Sequence, residues 1–270
     1  LSTKVSPDML TDQTIMHEGR TVSPDRWLRF REICRRRSVT VSAALFAVYA
    51  HMLSLWSRRQ TFTINLTQYN RLFSHAEIND LIGDFTLLSM MSVDMGKGES
   101  FYGAVKRIQQ DMAEDMSHPY YSGVEVQRDY AGSAHNDGVA FPVVFKVTAA
   151  MTAGSRDRLF GRVERITTET PQVWLDCQVT ELNGGLNISF EAVEELFGRD
   201  TVSGMADFCC SLVEYLSDSD GLWDKTVADT AYTYDMIPTL SERKKLSQLP
   251  AVGGEETLDS LFIKQTGLTP

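Results

Sequence analysis

What this chain lacks removes most of the common readings. Its four cysteines, Cys34, Cys177, Cys209 and Cys210, show no Cys-x-x-Cys spacing and no paired His-x-x-x-His. They suggest neither a zinc site nor a disulfide framework, and a reducing cytoplasm fits best. Long hydrophobic runs are missing as well: the longest, VSAALFAVYAHMLSLW from Val41 to Trp56, is interrupted by His51 and is too short to span a bilayer. The N-terminus shows no charged-then-apolar leader pattern, so no membrane segment is expected. Positive charge is in deficit, with 26 Lys and Arg against 36 Asp and Glu for a net charge of −10. That balance opposes a nucleic-acid partner, whose phosphates are bound by Lys and Arg releasing counterions. There is no GxSxG, no GxGxxG after a strand, no P-loop, no HExxH and no internal repeat. Any chemistry must therefore come from single polar groups set in apolar strands.

What is present is core material. With 270 residues, 43% of them hydrophobic, the chain can bury a sizeable interior as one large domain or two small ones. QTIMHEGRTV reads as a strand and SPDRWLRFREICRR as a helix with Ser23 as N-cap and Pro24 at its first position. Trp27, Phe30, Ile33 and Cys34 fall on one face of that helix. The basic cluster Arg29–Arg37 is its solvated end, and an anion site is the minor reading. Ser42 caps a core helix to about Ser57 that is apolar nearly all round. TFTINLTQY reads as a strand, LIGDFT as a glycine turn, and LLSMMSVDM as a second strand buried on both faces. A helix from Ser100 carries Phe101, Val105, Ile108, Met112 and Met116 on one stripe. A short helix and the strand AFPVVFKV follow. The run from Gln172 to Leu182 meets LNISFEAV through Asn183-Gly184-Gly185, predicting a hairpin. The last helix lies near VSGMADFCCSLVEYLSD, and from Asp220 to about Glu256 the pattern loosens into a linker. Helices interspersed with strands predict an α/β architecture with one sheet covered by helices.

Inside TTETPQVWLDCQV, Thr167 to Val179, sits one acid, Asp176, next to strand-forming Val173, Trp174 and Leu175. It is either a solvent-facing strand position or a working group. FTINLTQYNR, LIGDFTLLSMMSVD, HPYYSGVEVQRD, FPVVFK and TPQVWLD occur in an order and spacing that resemble the heterocyclization domains of nonribosomal peptide synthetases, relatives of the condensation domain. The resemblance covers Leu1 to Trp223. It implies the chloramphenicol-acetyltransferase-like fold, two lobes in a V with a tunnel for phosphopantetheine arms between them and a mixed sheet covered by helices. The chain looks like the C-terminal lobe, residues 1–223, because the first-lobe DxxxxD motif has no counterpart; residues 224–270 are then a linker and, at TLDSLFIKQTGLTP, the start of an adenylation domain.

The family's reaction joins an upstream acyl group to a carrier-bound Cys, Ser or Thr and closes the side chain into a thiazoline or oxazoline, in natural-product pathways that include siderophore assembly. By resemblance Asp176 takes the place of the catalytic aspartate. The family's PVVFTS reads PVVFKV here, so Lys146 stands where a threonine works with that aspartate. An ammonium facing Asp176 is expected to lower its pKa and make it a poorer proton donor. Thr148, two residues on along the same strand face, is a possible substitute hydroxyl. Asn65 and Thr67 are candidates to line the tunnel, Asp84 to brace a turn or join the site, and Thr170, Gln172 and Trp174 to contact the acyl chain. His118, Tyr120 and Tyr121 read as local packing. The implied partners are the N-terminal lobe, peptidyl carrier proteins and the following adenylation domain, with no nucleic acid and no membrane. No metal and no cofactor is implied for the lobe itself; phosphopantetheine arrives on a carrier. The expected function is amide condensation with ring closure weakened or lost, the lobe alone being inactive. The alternatives are a degenerate scaffold lobe and an unrelated acyltransferase of the same fold.

Overall fold

Alternating apolar residues build a six-stranded sheet, β1 Ile15–Val22, β2 Thr61–Tyr69, β3 Thr86–Asp94, β4 Val143–Val147, β5 Leu175–Leu182 and β6 Gly185–Val193, in the order β1-β6-β5-β4-β2-β3. The computed structural model describes residues 1, 3–5, 10, 14–57, 59–69, 75, 77–118, 120–134, 141–148, 167–168, 170 and 172–226. These all fall within one unit, Leu1–Thr230. β4 runs parallel to both β2 and β5, while the other pairings are antiparallel. Among the described residues the helices are α1 Pro24–Arg36, α2 Val41–Trp56, α3 Phe101–Ser117, α4 Gly123–Ala134 and α5 Arg199–Asp218.

The β5–β6 hairpin follows from its turn. Asn183 and Gly184 take φ of 52° and 79°, the left-handed pair that a two-residue turn between twisted strands requires, and Leu182 pairs directly with Gly185. Gly185 is thus the first strand residue rather than part of the turn. A Cβ on it would lie 2.6 Å from the Val22 carbonyl oxygen, so only glycine lets β1 come this close.

α2 is the centre of the core. Phe46 and Tyr49 pack on Phe145 of β4 at ring separations of 5.4 and 5.2 Å, and Tyr49 also touches Phe190 of β6. Its cap is Thr40, whose side chain accepts from the Ala43 N–H, so Ser42 falls inside the first turn instead of capping it. Ser23 does sit at the N-cap of α1, without a side-chain hydrogen bond. Trp27, Phe30, Ile33 and Cys34 form its buried face. His51, buried in α2, is held neutral by its apolar surroundings, its pKa lowered to about 3. All four cysteines are free and buried, and burial pushes Cys34 and Cys210 up to about 12.

Several expectations are corrected. β3 is not buried on both faces: it is an edge strand with one neighbour, and Thr86 and Ser92 are exposed. Met116 lies beyond the buried stripe of α3 and is 61% exposed. His118 ends α3 and Tyr120 stands 86% exposed, so the tyrosine does not pack locally. The basic cluster is only partly solvated. Arg35 pairs with Glu32 and Arg31 with Glu181, while Arg36 approaches Asp220. Arg37 lies over the Tyr102 ring and forks onto Asp224 at 2.7 and 2.8 Å while also bonding Asp220. These carboxylates use the charge that an anion would need.

That ion-pair cluster also moves the end of the fold. Asp220–Asp224 is a short 3-10 turn, not the start of a linker. Trp223 is fully buried against Phe30 and Phe101, its indole N–H donating to the Leu216 carbonyl at 3.0 Å, and Thr226 bridges Ser100. The rest of the expected linker, from residue 227, and the adenylation-like segment lie outside the described residues. Among the described residues no single helix is long and apolar enough to cross a membrane. Trp223→Ala is expected to cost about 3–5 kcal/mol in a urea melt of the chain. A loss below about 1 kcal/mol would show that the turn is a loose tail.

Candidate functional site

Alternation gives the sheet two unlike faces. Leu175, Cys177 and Val179 of β5 join Phe145, Ile188 and Phe190 on the face packed against the helices. Asp176, Gln178 and Thr180 occupy the other face, each 4% exposed. Register places these polar residues in rows across the sheet. One row runs His17, Glu191, Asp176, Val144, Asn65 through β1, β6, β5, β4 and β2. The next runs Gly19, Ser189, Gln178, Lys146, Thr67.

Asp176 is neither solvent-facing nor isolated. Its Oδ2 accepts from the Thr168 hydroxyl at 3.0 Å and from Gln178 Nε2 at 3.3 Å. Opposite it, Glu191 accepts the Thr168 backbone N–H at 3.0 and 2.9 Å, the Thr168 hydroxyl at 3.2 Å and Gln178 Nε2 at 3.1 Å. Gln178 Nε2 also donates to the Thr168 hydroxyl oxygen. His17 Nδ1 stands 3.7 Å from Glu191 Oε1. The remaining oxygen of Asp176, Oδ1, is buried without a hydrogen-bond partner, as are Asn65 Oδ1 and His17 Nδ1.

This geometry reverses the expected electrostatics. Burial pushes the Asp176 carboxyl above its ordinary value, against the opposing pull of Lys146 and the hydrogen bonds from Thr168 and Gln178. Lys146 registers with Gln178 rather than Asp176, whose partner on β4 is Val144, and it is only half-buried, so water shares its charge. Glu191 is raised too: burial leads and the Asp176 charge adds to it, while the Thr168 donors and His17 oppose.

The other candidates separate. Thr148 bonds the Thr180 hydroxyl at 2.6 Å and the Val179 carbonyl at 3.2 Å. Thr180 lies four residues beyond Asp176, about 13 Å along the strand, so Thr148 is not the substitute hydroxyl. The hydroxyl in contact with Asp176 is that of Thr168, at 3.0 Å. Asn65 is in the Asp176 row, two strands away, and Thr67 borders a cavity of about 490 Å³ with Leu66, Met112 and Val147. Asp84 is exposed and bonds the Thr86 N–H at 2.9 Å, a turn brace whose Thr86 bonds hold it below the ordinary carboxylate value. It is three strands from β5 and does not join Asp176. Thr170 and Gln172 are exposed in a turn closed by Val173 N–H to Thr170 O, and Gln172 takes φ of 70°. Trp174 is half-buried, its backbone tied to Pro142 and Val193.

Thr168, Gln178, Glu191 and His17 were missed. A signal for Glu191 existed: a two-residue turn at Asn183-Gly184 counts back to Glu191 opposite Asp176. Together, two buried carboxylates, a hydroxyl and an amide can hold and pass a proton. Among the described residues no group of three His, Cys, Asp or Glu could hold a metal.

The condensation-domain sequence profile matches residues 11–220. Over 229 residues the chain is 32% identical to pyochelin synthetase PchF of Pseudomonas aeruginosa, covering 83% of this chain and 12% of that protein. Over 243 residues it is 29% identical to phenyloxazoline synthase MbtB of Mycobacterium tuberculosis, covering 87% of this chain and 16% of that one. The EpoB cyclization-docking bidomain from Sorangium cellulosum superposes with a TM-score of 0.74 at 31% identity, over 83% of this chain and 45% of its own. The chain thus spans less than half the length of each, and the shared architecture is the chloramphenicol-acetyltransferase-like α/β fold with its mixed sheet.

The raised acids make stability depend on pH. A carboxyl whose folded pKa is raised binds its proton more tightly when folded, so the contribution of these two acids to stability is fully present below their ordinary values of 3.8 and 4.5 and is lost as pH rises through the folded values. Asp176→Asn is expected to flatten that decline between pH 4 and neutrality in urea melts. An unchanged slope would mean that burial does not raise Asp176.

Proposed function

The chain belongs to the condensation-domain family, and on that premise we propose that it is the C-terminal lobe of a heterocyclization-type domain in a nonribosomal peptide synthetase. In this reading the domain transfers an upstream acyl group from its carrier thioester to the amine of a carrier-bound Cys, Ser or Thr, breaking the thioester bond and releasing the upstream carrier thiol. The side-chain sulfur or oxygen then adds to the new amide carbon while its own proton passes to the carbonyl oxygen, that oxygen takes a second proton and leaves as water, and loss of the amide N–H proton forms the ring C=N bond. Asp176 gives a proton to the departing oxygen and recovers one from the nitrogen, so the acid is regenerated.

One observation carries this reading: Asp176 is buried and raised, with one oxygen held by Thr168 and the other bare. The relatives' names, a pyochelin synthetase and a phenyloxazoline synthase, agree with it in class. Lys146 still draws the acid toward its ionised form, so ring closure is weakened relative to a threonine-bearing domain, while burial argues against complete loss. The same lysine favours the second reading, a lobe that holds carrier proteins and the adenylation domain without doing chemistry. The N-terminal lobe completes the tunnel, carrier proteins bring both substrates on phosphopantetheine, and nothing in the lobe's proton chemistry calls on a metal or resident cofactor.

In the complete synthetase module, Asp176→Ala is expected to lower the cyclised product about 100-fold while linear amide persists, read as the mass of water lost on the carrier protein. Lys146→Thr is expected to raise the ratio of cyclised to linear product about tenfold, the size of a one-unit change in the acid. Ring formation indifferent to Asp176→Ala would sink the assignment. Residues 1–270 alone should turn over no carrier-bound substrate, and turnover by that chain would refute the assignment to one lobe.

A further inference from the structure

Asp176 and Glu191 face each other across the β5–β6 pair, both 4% exposed, and draw on the same side-chain donors. The Thr168 hydroxyl has a single proton, yet it lies 3.0 Å from Asp176 Oδ2 and 3.2 Å from Glu191 Oε2, so it can serve only one of them at a time. Gln178 Nε2 has two protons for three acceptors, Asp176 Oδ2 at 3.3 Å, Glu191 Oε2 at 3.1 Å and the Thr168 hydroxyl oxygen, so it too cannot serve all of them at once. Two like charges sharing one buried site do not both ionise readily. The donors nonetheless distinguish the pair. Glu191 alone receives the Thr168 backbone N–H, at both oxygens, and has His17 beside it. Among the described residues Asp176 has no backbone donor, and its Oδ1 is buried without a hydrogen-bond partner.

We infer that Asp176 and Glu191 form one acid pair holding a single proton across Thr168, in which Glu191 is the positioning residue that keeps its neighbour a proton donor at neutral pH. Glu191 retains the negative charge because the backbone donor and His17 favour it. That charge in turn keeps the proton on Asp176, and the bare Oδ1 is the oxygen from which it leaves. Charged and titratable groups around the pair come from each packed element: Lys146 from β4 and His17 from β1, with Tyr49 from α2 and Cys177 on the helix-packed side. Burial raises both acids, in line with a shared proton. The role of the pair in ring closure rests on the heterocyclization reading; its shared proton does not.

The test has two arms. In the chain of residues 1–270, carboxyl-labelled aspartate and glutamate are titrated by carbon-13 NMR. Glu191→Gln is expected to lower the Asp176 midpoint by about one pH unit or more, a tenfold change in acid constant, and Glu191→Asp, which keeps the charge, to restore most of it. Coupling is reciprocal, so Asp176→Asn should lower the Glu191 midpoint equally; this variant decides the matter if Glu191→Gln does not fold. Midpoints that ignore these substitutions overturn the pair. In the complete module, the alkaline fall of the cyclised-to-linear ratio should move down in pH with Glu191→Gln by the same amount. A coupled titration with an unmoved profile would show that the pair is structural and overturn the positioning role. A wild-type module that makes amide and no ring at any pH refutes the heterocyclization reading and, with it, that role, while the NMR arm still decides the shared proton.

Discussion

The register of the β5–β6 hairpin governs everything else in the sheet. Asn183 and Gly184 close it in two residues, which sets Asp176 opposite Glu191 and Gln178 opposite Ser189. Side chains alternate with a period of two, so a slip of one residue would turn Asp176, Gln178 and Thr180 into the helix-packed core and put Cys177 and Val179 among the polar rows. Neither face tolerates that exchange. The apolar face is filled by Tyr49, Phe46 and Phe145, and desolvating three polar side chains there without partners would cost several kcal/mol. The turn and the two faces therefore specify the same arrangement.

Within that arrangement the sheet works as a scaffold with opposite duties on its two sides. Aromatic packing from α2 onto β4 and β6 holds the strands rigidly in line. The polar rows on the reverse side inherit that rigidity. A buried carboxylate is expensive, and this one is tolerated because Thr168 and Gln178 satisfy one oxygen and because the proton can remain bound. The remaining oxygen is buried without a hydrogen-bond partner, a cost that a catalytic role explains. At the far side of α1, Arg37 with Asp220 and Asp224 plays a plain structural part, docking the turn that buries Trp223.

Lys146 shows why residue type alone misleads in such a site. Charge complementarity on paper gives an ammonium the upper hand over a carboxylate. Placement decides the outcome: one same-face step along β4 from Asp176's partner and half-exposed, the lysine lowers the acid's pKa less than burial raises it. The hydroxyl question is resolved in the same manner. Thr148 has the right strand face and the wrong distance, and Thr168, in the approach to β5, has the contact.

The sequence by itself determined the strands and helices, the buried stripe of α1, the hairpin and the prominence of Asp176, because each depends on local periodicity or turn chemistry. It also carried the family, through motifs that survive in order. Even Glu191 was within reach of a strict count across the Asn-Gly turn. Only the tertiary structure could decide that β3 is an edge strand, since sheet order is set by non-local pairing, or that the fold continues through Trp223, since its ring is held by Phe30 and Phe101 from distant helices. The site's electrostatics belong to that second group. The sign of the Asp176 shift depends on how far water is kept from one oxygen and how near it comes to one ammonium, and neither distance is written in the order of residues.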